Sequence, residues 1–286
     1  MTTTLSRPPL VVRVAVSGHR DFGDVQGIGE HLQAQVESVL SVVELSVDKI
    51  YEQDAKMEDG GLYDHGILPQ LRLVSGLAAG ADQLAAERAL AAGWRLEAVL
   101  PFTIDEFRQD FGTAEAPTCY GKELGLKWGD GREWPDDRAA FDDLLVKAGP
   151  ACIELCGATE PDGLRNRSYL AVGQTLVRRC EVLVAIWNGS EAKGKGGTAD
   201  VVEFALRNRV PVIWIDAAAD QNAQWLVDVE DFYRALKTRA GREAFSSDLL
   251  EGYLRRLLLI APAVEPHDGF YDRSYTLKQF RDDIDQ

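Results

Sequence analysis

The chain is short of cysteine, of histidine and of positive charge, and each shortage argues against a class of function. Its 286 residues hold four cysteines (Cys119, Cys152, Cys156, Cys180) and four histidines. No two cysteines form a Cys-x-x-Cys pair, and no histidine sits at ligand spacing from them, so a zinc site is not expected and no metal is assigned. No apolar signal-like segment precedes the first strand-like run, so the thiols are expected to be reduced in a cytoplasmic protein. No run reaches the roughly 20 apolar residues of a membrane helix, so no membrane is expected as a partner of this chain. Lys and Arg number 31 against 46 Asp and Glu, a net charge of −15. That field repels phosphate at long range, which argues against nucleic acid as a partner. An anionic ligand is expected to be small and held by local groups. There is no internal repeat and no low-complexity segment.

What the chain does have is regular alternation. Apolar runs at 10–16 (LVVRVAV), 71–74, 95–100, 151–155, 182–187 and 211–215 have strand length and no polar alternation. Runs of that kind suit strands buried on both faces. Between them lie segments with helical apolar spacing at 32–47, 81–92, 135–148, 169–179 and from Thr198. Strand and helix in turn predict an α/β fold, a doubly wound, mostly parallel sheet with helices on both faces. Residues 51–66 read as a loop. Residues 103–134 lack periodicity and carry aromatics, which suggests an insertion or lid. After Asp216 the pattern changes: 221–236 and 245–260 read as two helices with no following strand. The expected organisation is a Rossmann-like nucleotide-binding domain over 1–217, then C-terminal helices and a tail over 218–286.

Three strand-to-helix junctions are marked by glycine: 17–22 (SGHRDF), 75–82 (SGLAAGAD) and 188–200 (NGSEAKGKGGTAD). In a parallel sheet all three fall at the carboxyl edge, where backbone N–H groups and helix N-termini meet phosphates. Each taken alone also reads as an ordinary tight turn. The named fingerprints fail. Residues 75–82 lack the third glycine of G-x-G-x-x-G. Gly189, Gly194 and Lys195 begin a Walker-like loop, but Gly196 stands where the magnesium-binding Ser or Thr belongs. Candidate ligand-binding residues are Ser17, Gly18, His19, Arg20, Ser75, Gly76, Gly80, Asp82, Pro101, Phe102, Arg167, Asn188, Gly189, Lys195, Gly196, Gly197, Thr198 and Asp200. His19 reads equally well as an acid/base group and as a histidine hydrogen-bonded in a turn. Asp200 in a first helical turn is favoured by the helix dipole whatever its function.

Ser75-Gly-Leu-Ala-Ala-Gly-Ala-Asp82, with the alanine-rich helix, the next strand and Pro101-Phe102, resembles the SLOG superfamily, the Rossmann-like group that includes DprA, YpsA and LOG-type proteins. Val14 to Phe22 is similar to the first strand and loop of its bacterial members, and Asn188-Gly189 and Gly196-Gly-Thr-Ala199 to its ligand-binding loop. The resemblance spans about residues 10–216. It implies one of two roles. Many SLOG domains are sensors of nucleotide-derived ligands, ADP-ribose-like or cyclic nucleotides, often in antiphage systems beside effector modules. LOG proteins instead cleave an N-glycosidic bond of nucleotides with a P-G-G-x-G-T-x-x-E motif. Here Val201 stands at the glutamate position, leaving Asp200 or Asp82 as the working carboxylate of an enzyme. The expectation is therefore a cytoplasmic, homo-oligomeric sensor of a nucleotide-derived small molecule, acting with an effector module and without a cofactor. The alternatives are a nucleotide N-glycosidase and, behind it, DprA-like binding of single-stranded DNA.

Overall fold

The computed structural model describes residues 7–20, 22, 28–57, 61–112, 137–158, 162–191, 196–219, 221–241 and 243–259. The elements are β1 (Val11–Gly18), α1 (Ile28–Ala55), β2 (Gln70–Ser75), α2 (Ala81–Ala91), β3 (Arg95–Leu100) and α3 (Ile104–Phe107), the last followed by a 3-10 turn. Then come α4 (Asp137–Ala148), β4 (Cys152–Glu154), α5 (Asp162–Arg178), β5 (Val182–Trp187), α6 (Thr198–Arg207) and β6 (Val212–Asp216). The chain continues through β7 (Gln224–Leu226), α7 (Val229–Thr238), β8 (Glu243–Ala244) and α8 (Ser247–Leu258).

One eight-stranded sheet runs β4-β3-β2-β1-β5-β6-β7-β8. The pairs from β4 to β6 are parallel, and β7 and β8 add on in antiparallel sense. The fold is thus α/β with a mostly parallel sheet, as the alternation of strand and helix requires. Alternate residues of each central strand face opposite ways. Val12, Val14, Val16, Val184 and Ile186 pack in one core with α1, α2, α4 and α8. Ala15, Val74, Val99, Leu183, Ala185 and Trp187 pack in the other with α5, α6 and α7. Full burial of both faces is why these strands carry apolar residues without alternation.

Several elements differ from their sequence reading. Helix α1 runs on through residues 51–55, read above as loop. Asp54, buried there, accepts backbone N–H bonds from Leu62 (2.9 Å) and Tyr63 (3.0 Å) and so ties the helix end to the next loop. Helix α5 begins at Asp162 rather than 169. The 221–236 segment is not one helix: residues 224–226 extend the sheet first, and α7 starts after its Asp228 cap, which accepts from the Asp231 N–H at 2.9 Å. Of the expected lid, residues 103–112 form α3 and its turn, and 113–134 lie outside the described residues, as do the tail residues 260–286.

Candidate functional site

The strand order fixes where a site can form. From β1 the chain moves outward to β2, β3 and β4, then returns to place β5 on the other side of β1. The connections leaving β1 and β5 therefore part in opposite directions, which opens a crevice at their carboxyl ends. A cleft of about 620 Å³ lies there. Its walls are the β1 loop (Ser17, Gly18, His19, Arg20), the β2 loop (Gly76, Ala78, Asp82), Pro101 and Phe107. The remaining walls are α5 (Tyr169, Val172, Gly173, Leu176), the β5 loop (Trp187, Asn188, Ser190, Glu191) and the start of α6 (Gly196 to Ala199, and Val201).

The three glycine-marked loops meet by direct contact. The Ala81 N–H donates to the His19 carbonyl at 3.0 Å, and the His19 N–H to the Ile186 carbonyl at 3.0 Å. The Asn188 N–H donates to His19 Nε2 at 3.1 Å. His19 is thus a tie between the β1 and β5 loops, with Nε2 serving as an acceptor, so the turn-bound reading describes its placement. Gly18 is required by close approach: a Cβ there would sit 2.4 Å from Ala81 Cβ and 2.7 Å from the Ile186 carbonyl. Gly80 has φ +82° and its Cβ would meet the Arg20 and His19 carbonyls at 2.5 and 2.6 Å. It shapes the junction without lining the cleft.

One wall is a helix N-terminus. Gly197 is the N-cap of α6, in extended conformation, and as a glycine it brings no side-chain cap of its own. Asp200 reaches back to accept the Gly196 N–H at 2.8 Å, holding Gly196 at φ +89°. It fixes the loop rather than lining the cleft. Val201 does line it, and packs on Gly173, where a Cβ would lie 2.4 Å from Val201 Cγ2.

The opposite wall is aromatic and cationic. Asp110 accepts from both the Tyr169 hydroxyl and the Arg165 guanidinium. Arg20 stands 5.2 Å over the Tyr169 ring, and Arg165 is 5.2 Å over Phe102. Arg167, the arginine singled out from the sequence, is exposed on α5 and does not line the cleft. The early start of α5 is the reason: Arg165, two residues away, takes the inward position. Phe102 is buried beneath this wall, in edge contact with Tyr169.

Asp82, in the first turn of α2, is the buried acid of the cleft. Burial drives its carboxyl up to about 7, against hydrogen bonds from the Ala78 and Gly76 N–H groups and the charge of Arg20. Gly76 leaves it room, since a Cβ there would lie 3.0 Å from Asp82 Oδ2. Ser75 is fully buried and accepts the Leu77 N–H at 3.0 Å, a turn role away from the cleft. Gly189 has φ +71° in the β5 loop and faces Trp214, also outside the lining. Lys195 lies outside the described residues.

Of the residues named from the sequence, Ser17, Gly18, His19, Arg20, Gly76, Asp82, Pro101, Asn188, Gly196, Gly197 and Thr198 share the cleft. Sequence reading missed Tyr169, Val172, Gly173 and Leu176, while Phe107 belongs to the aromatic segment read as a lid. The α5 periodicity marked an apolar face, but nothing local said which part of it overhangs the crevice. No group of three or more metal-ligating side chains occurs among the described residues. No described helix is long and apolar enough to cross a membrane.

No protein-family model matches the chain, and no curated protein does. Among solved structures it is similar to DNA processing protein A (DprA) from Helicobacter pylori, described for its single-stranded DNA binding mode. That likeness has 15% identity and a TM-score of 0.42, over 85% of this chain and 80% of that one. It is similar also to DprA from Streptococcus pneumoniae, at 15% identity and a TM-score of 0.38 over 83% of this chain. The chain spans 60% of the length of the latter protein. Likenesses of this depth carry no ligand or activity across.

Proposed function

We propose that the chain binds a nucleotide-derived small molecule in this cleft and acts as a ligand sensor. The observation that carries the reading is the glycine-capped N-terminus of α6 opening into a cleft at the strand-order switch. Backbone N–H groups and the positive end of a helix dipole favour a phosphate there, with no need of a charged side chain. Arg20 supplies a cation to the same space, and Tyr169 supplies apolar surface for a base or sugar. Binding without turnover is supported by Val201, which presents an apolar side chain where the related LOG enzymes keep a glutamate. It is supported also by Asp200, whose carboxylate is engaged with Gly196. The resemblance to SLOG sensors points the same way.

A second reading, N-glycosidic cleavage, is favoured by Asp82. A carboxyl raised to about 7 inside the cleft is poised to give or take a proton near neutral pH. The test is a panel of nucleotides, NAD, ADP-ribose, cyclic nucleotides and a short single-stranded oligonucleotide, followed by thermal shift and by chromatography of the products. A shift with an intact mononucleotide or dinucleotide supports the sensor. Release of free base, lost in Asp82→Asn, replaces it with the hydrolase. A response to the oligonucleotide alone transfers to this chain the binding described for the H. pylori protein.

A further inference from the structure

Away from the cleft, the sheet carries an arginine cluster on its α5 side. Arg13 and Arg72 are cross-strand partners on β1 and β2, and Glu97 lies beside them on β3. Arg179, just past α5, comes down onto the same carboxylate. Glu97 accepts from Arg72 Nη1 at 2.7 Å, from Arg179 Nη2 at 3.0 Å, and from Arg13 Nε at 3.1 Å through both oxygens. The Glu97 side chain is 7% exposed, while those of Arg72, Arg13 and Arg179 are 24%, 29% and 37% exposed. Burial would raise Glu97, but the three arginines outweigh it and hold the carboxyl at about 2, so one full negative charge faces three positive ones. Glu181 accepts the Arg13 N–H at 2.6 Å, and burial shifts its carboxyl upward.

Donors exceed acceptors as well. Arg72 Nε and Arg179 Nε are buried with no partner among the described residues. Buried donors without acceptors are uncommon enough to call for a reason. The cluster sits near the start of β1, whose far end, Ser17 and Gly18, lines the cleft. Five residues of extended strand separate the two by roughly 16 Å.

We propose that this cluster is a second anion site, separate from the cleft, which takes a compact phosphate group between Arg13 and Arg179. Guanidinium forks match the oxygens of a tetrahedral anion and are lightly hydrated, so they give up water at little cost. A surplus of positive charge half-withdrawn from solvent, within a chain of net charge −15, concentrates attraction at this one place. The phosphate is either free or carried on a small metabolite. The two are separated by titrating inorganic phosphate and a phosphomonoester such as glycerol phosphate.

The test uses the full chain. Arginine-selective dicarbonyl labelling, read by mass spectrometry with and without phosphate, is expected to show protection of Arg13 and Arg179 and none of the exposed Arg256. Calorimetry in a Gly197→Asp background, which closes the cleft to anions, is expected to leave one phosphate site. Adding Arg179→Gln should weaken that site by about tenfold or more, the loss of one charged hydrogen-bonding partner. Arg13 and Arg72 remain on Glu97 in that variant, and labelling of the native chain gives an answer even if it misfolds. Absence of phosphate-dependent protection, or equal phosphate affinity with and without Arg179→Gln, overturns the proposal whatever the cleft binds.

Discussion

Replacing Gly197 by aspartate separates folding from binding at the phosphate-facing helix. Gly197 is the N-cap of α6, with φ −72° and ψ 168° and no side-chain cap. Those angles suit any residue, and aspartate is among the best N-caps. Its carboxylate also complements the dipole, worth about 0.3–1 kcal/mol, part of which the nearby Asp200 offsets. The melting temperature is therefore expected to stay level or rise by about 1–3 °C. The effect on an anionic ligand is opposite. A carboxylate about 4 Å from a bound phosphate repels it by about 4 kcal/mol at an effective dielectric constant near 20. That is a loss of two to three orders of magnitude in affinity, less at high salt. Gly197→Ser caps the helix without charge and should lose far less. Isothermal titration with whichever nucleotide shifts the wild type, alongside thermal melts, reads both quantities. Unchanged affinity in Gly197→Asp, with the melt level or raised, would show that no phosphate sits at α6 and would refute the placement.

Other consequences follow from single groups. The carboxyl of Asp82 is raised from its usual 3.8 to about 7, so the folded state keeps a proton that the unfolded chain releases between about pH 4 and 7. Stability from this group is full below pH 4 and declines as pH rises to about 7; Asp82→Asn should flatten that slope in urea titrations across the window. Glu97 runs the other way: lowered from 4.5 to about 2, it contributes above pH 4.5 and is lost as pH falls toward 2. Glu97→Gln, leaving three guanidiniums without their carboxylate, should cost about 3 kcal/mol at neutral pH, measured by denaturant melts. Gly18→Ala, whose methyl would meet Ala81 Cβ at 2.4 Å, should destabilise the chain by about 1–3 kcal/mol and weaken ligand binding as the β1 loop shifts. A wild-type melting temperature in that variant would mean the loops approach less closely than described.

Part of this was legible beforehand because it depends on local chemistry. A strand buried on both faces must be apolar throughout, so 182–187 announced itself, and each following glycine marked where the chain turns toward a helix. The parallel sheet and the three loops of the cleft came from that rule. The aromatic and cationic wall did not. Arg165 meets Asp110 and Phe102 because α5 starts seven residues earlier than its apolar spacing suggested, and Tyr169, one turn further on, lines the cleft. The same early start leaves Arg167 on the outside. The strands at 224–226 and 243–244 were too short to show a pattern and exist because β6 offers an edge to the first and the first offers one to the second.

The sequence by itself determined the alternation of strand and helix, the glycine-marked junctions and the absence of a glutamate at Val201, since each is a property of residue type and near neighbours. The tertiary structure decided what those junctions do. The order β2-β1-β5 brought loops about 170 residues apart into hydrogen-bond contact through His19. It set the glycine N-cap of α6 at the crevice and sent Asp200 back to Gly196. It set Arg13, Arg72 and Arg179 around Glu97. Convergence of distant residues depends on strand order, and strand order is fixed by the packing of the whole sheet between its two helical layers, which no single stretch of sequence encodes.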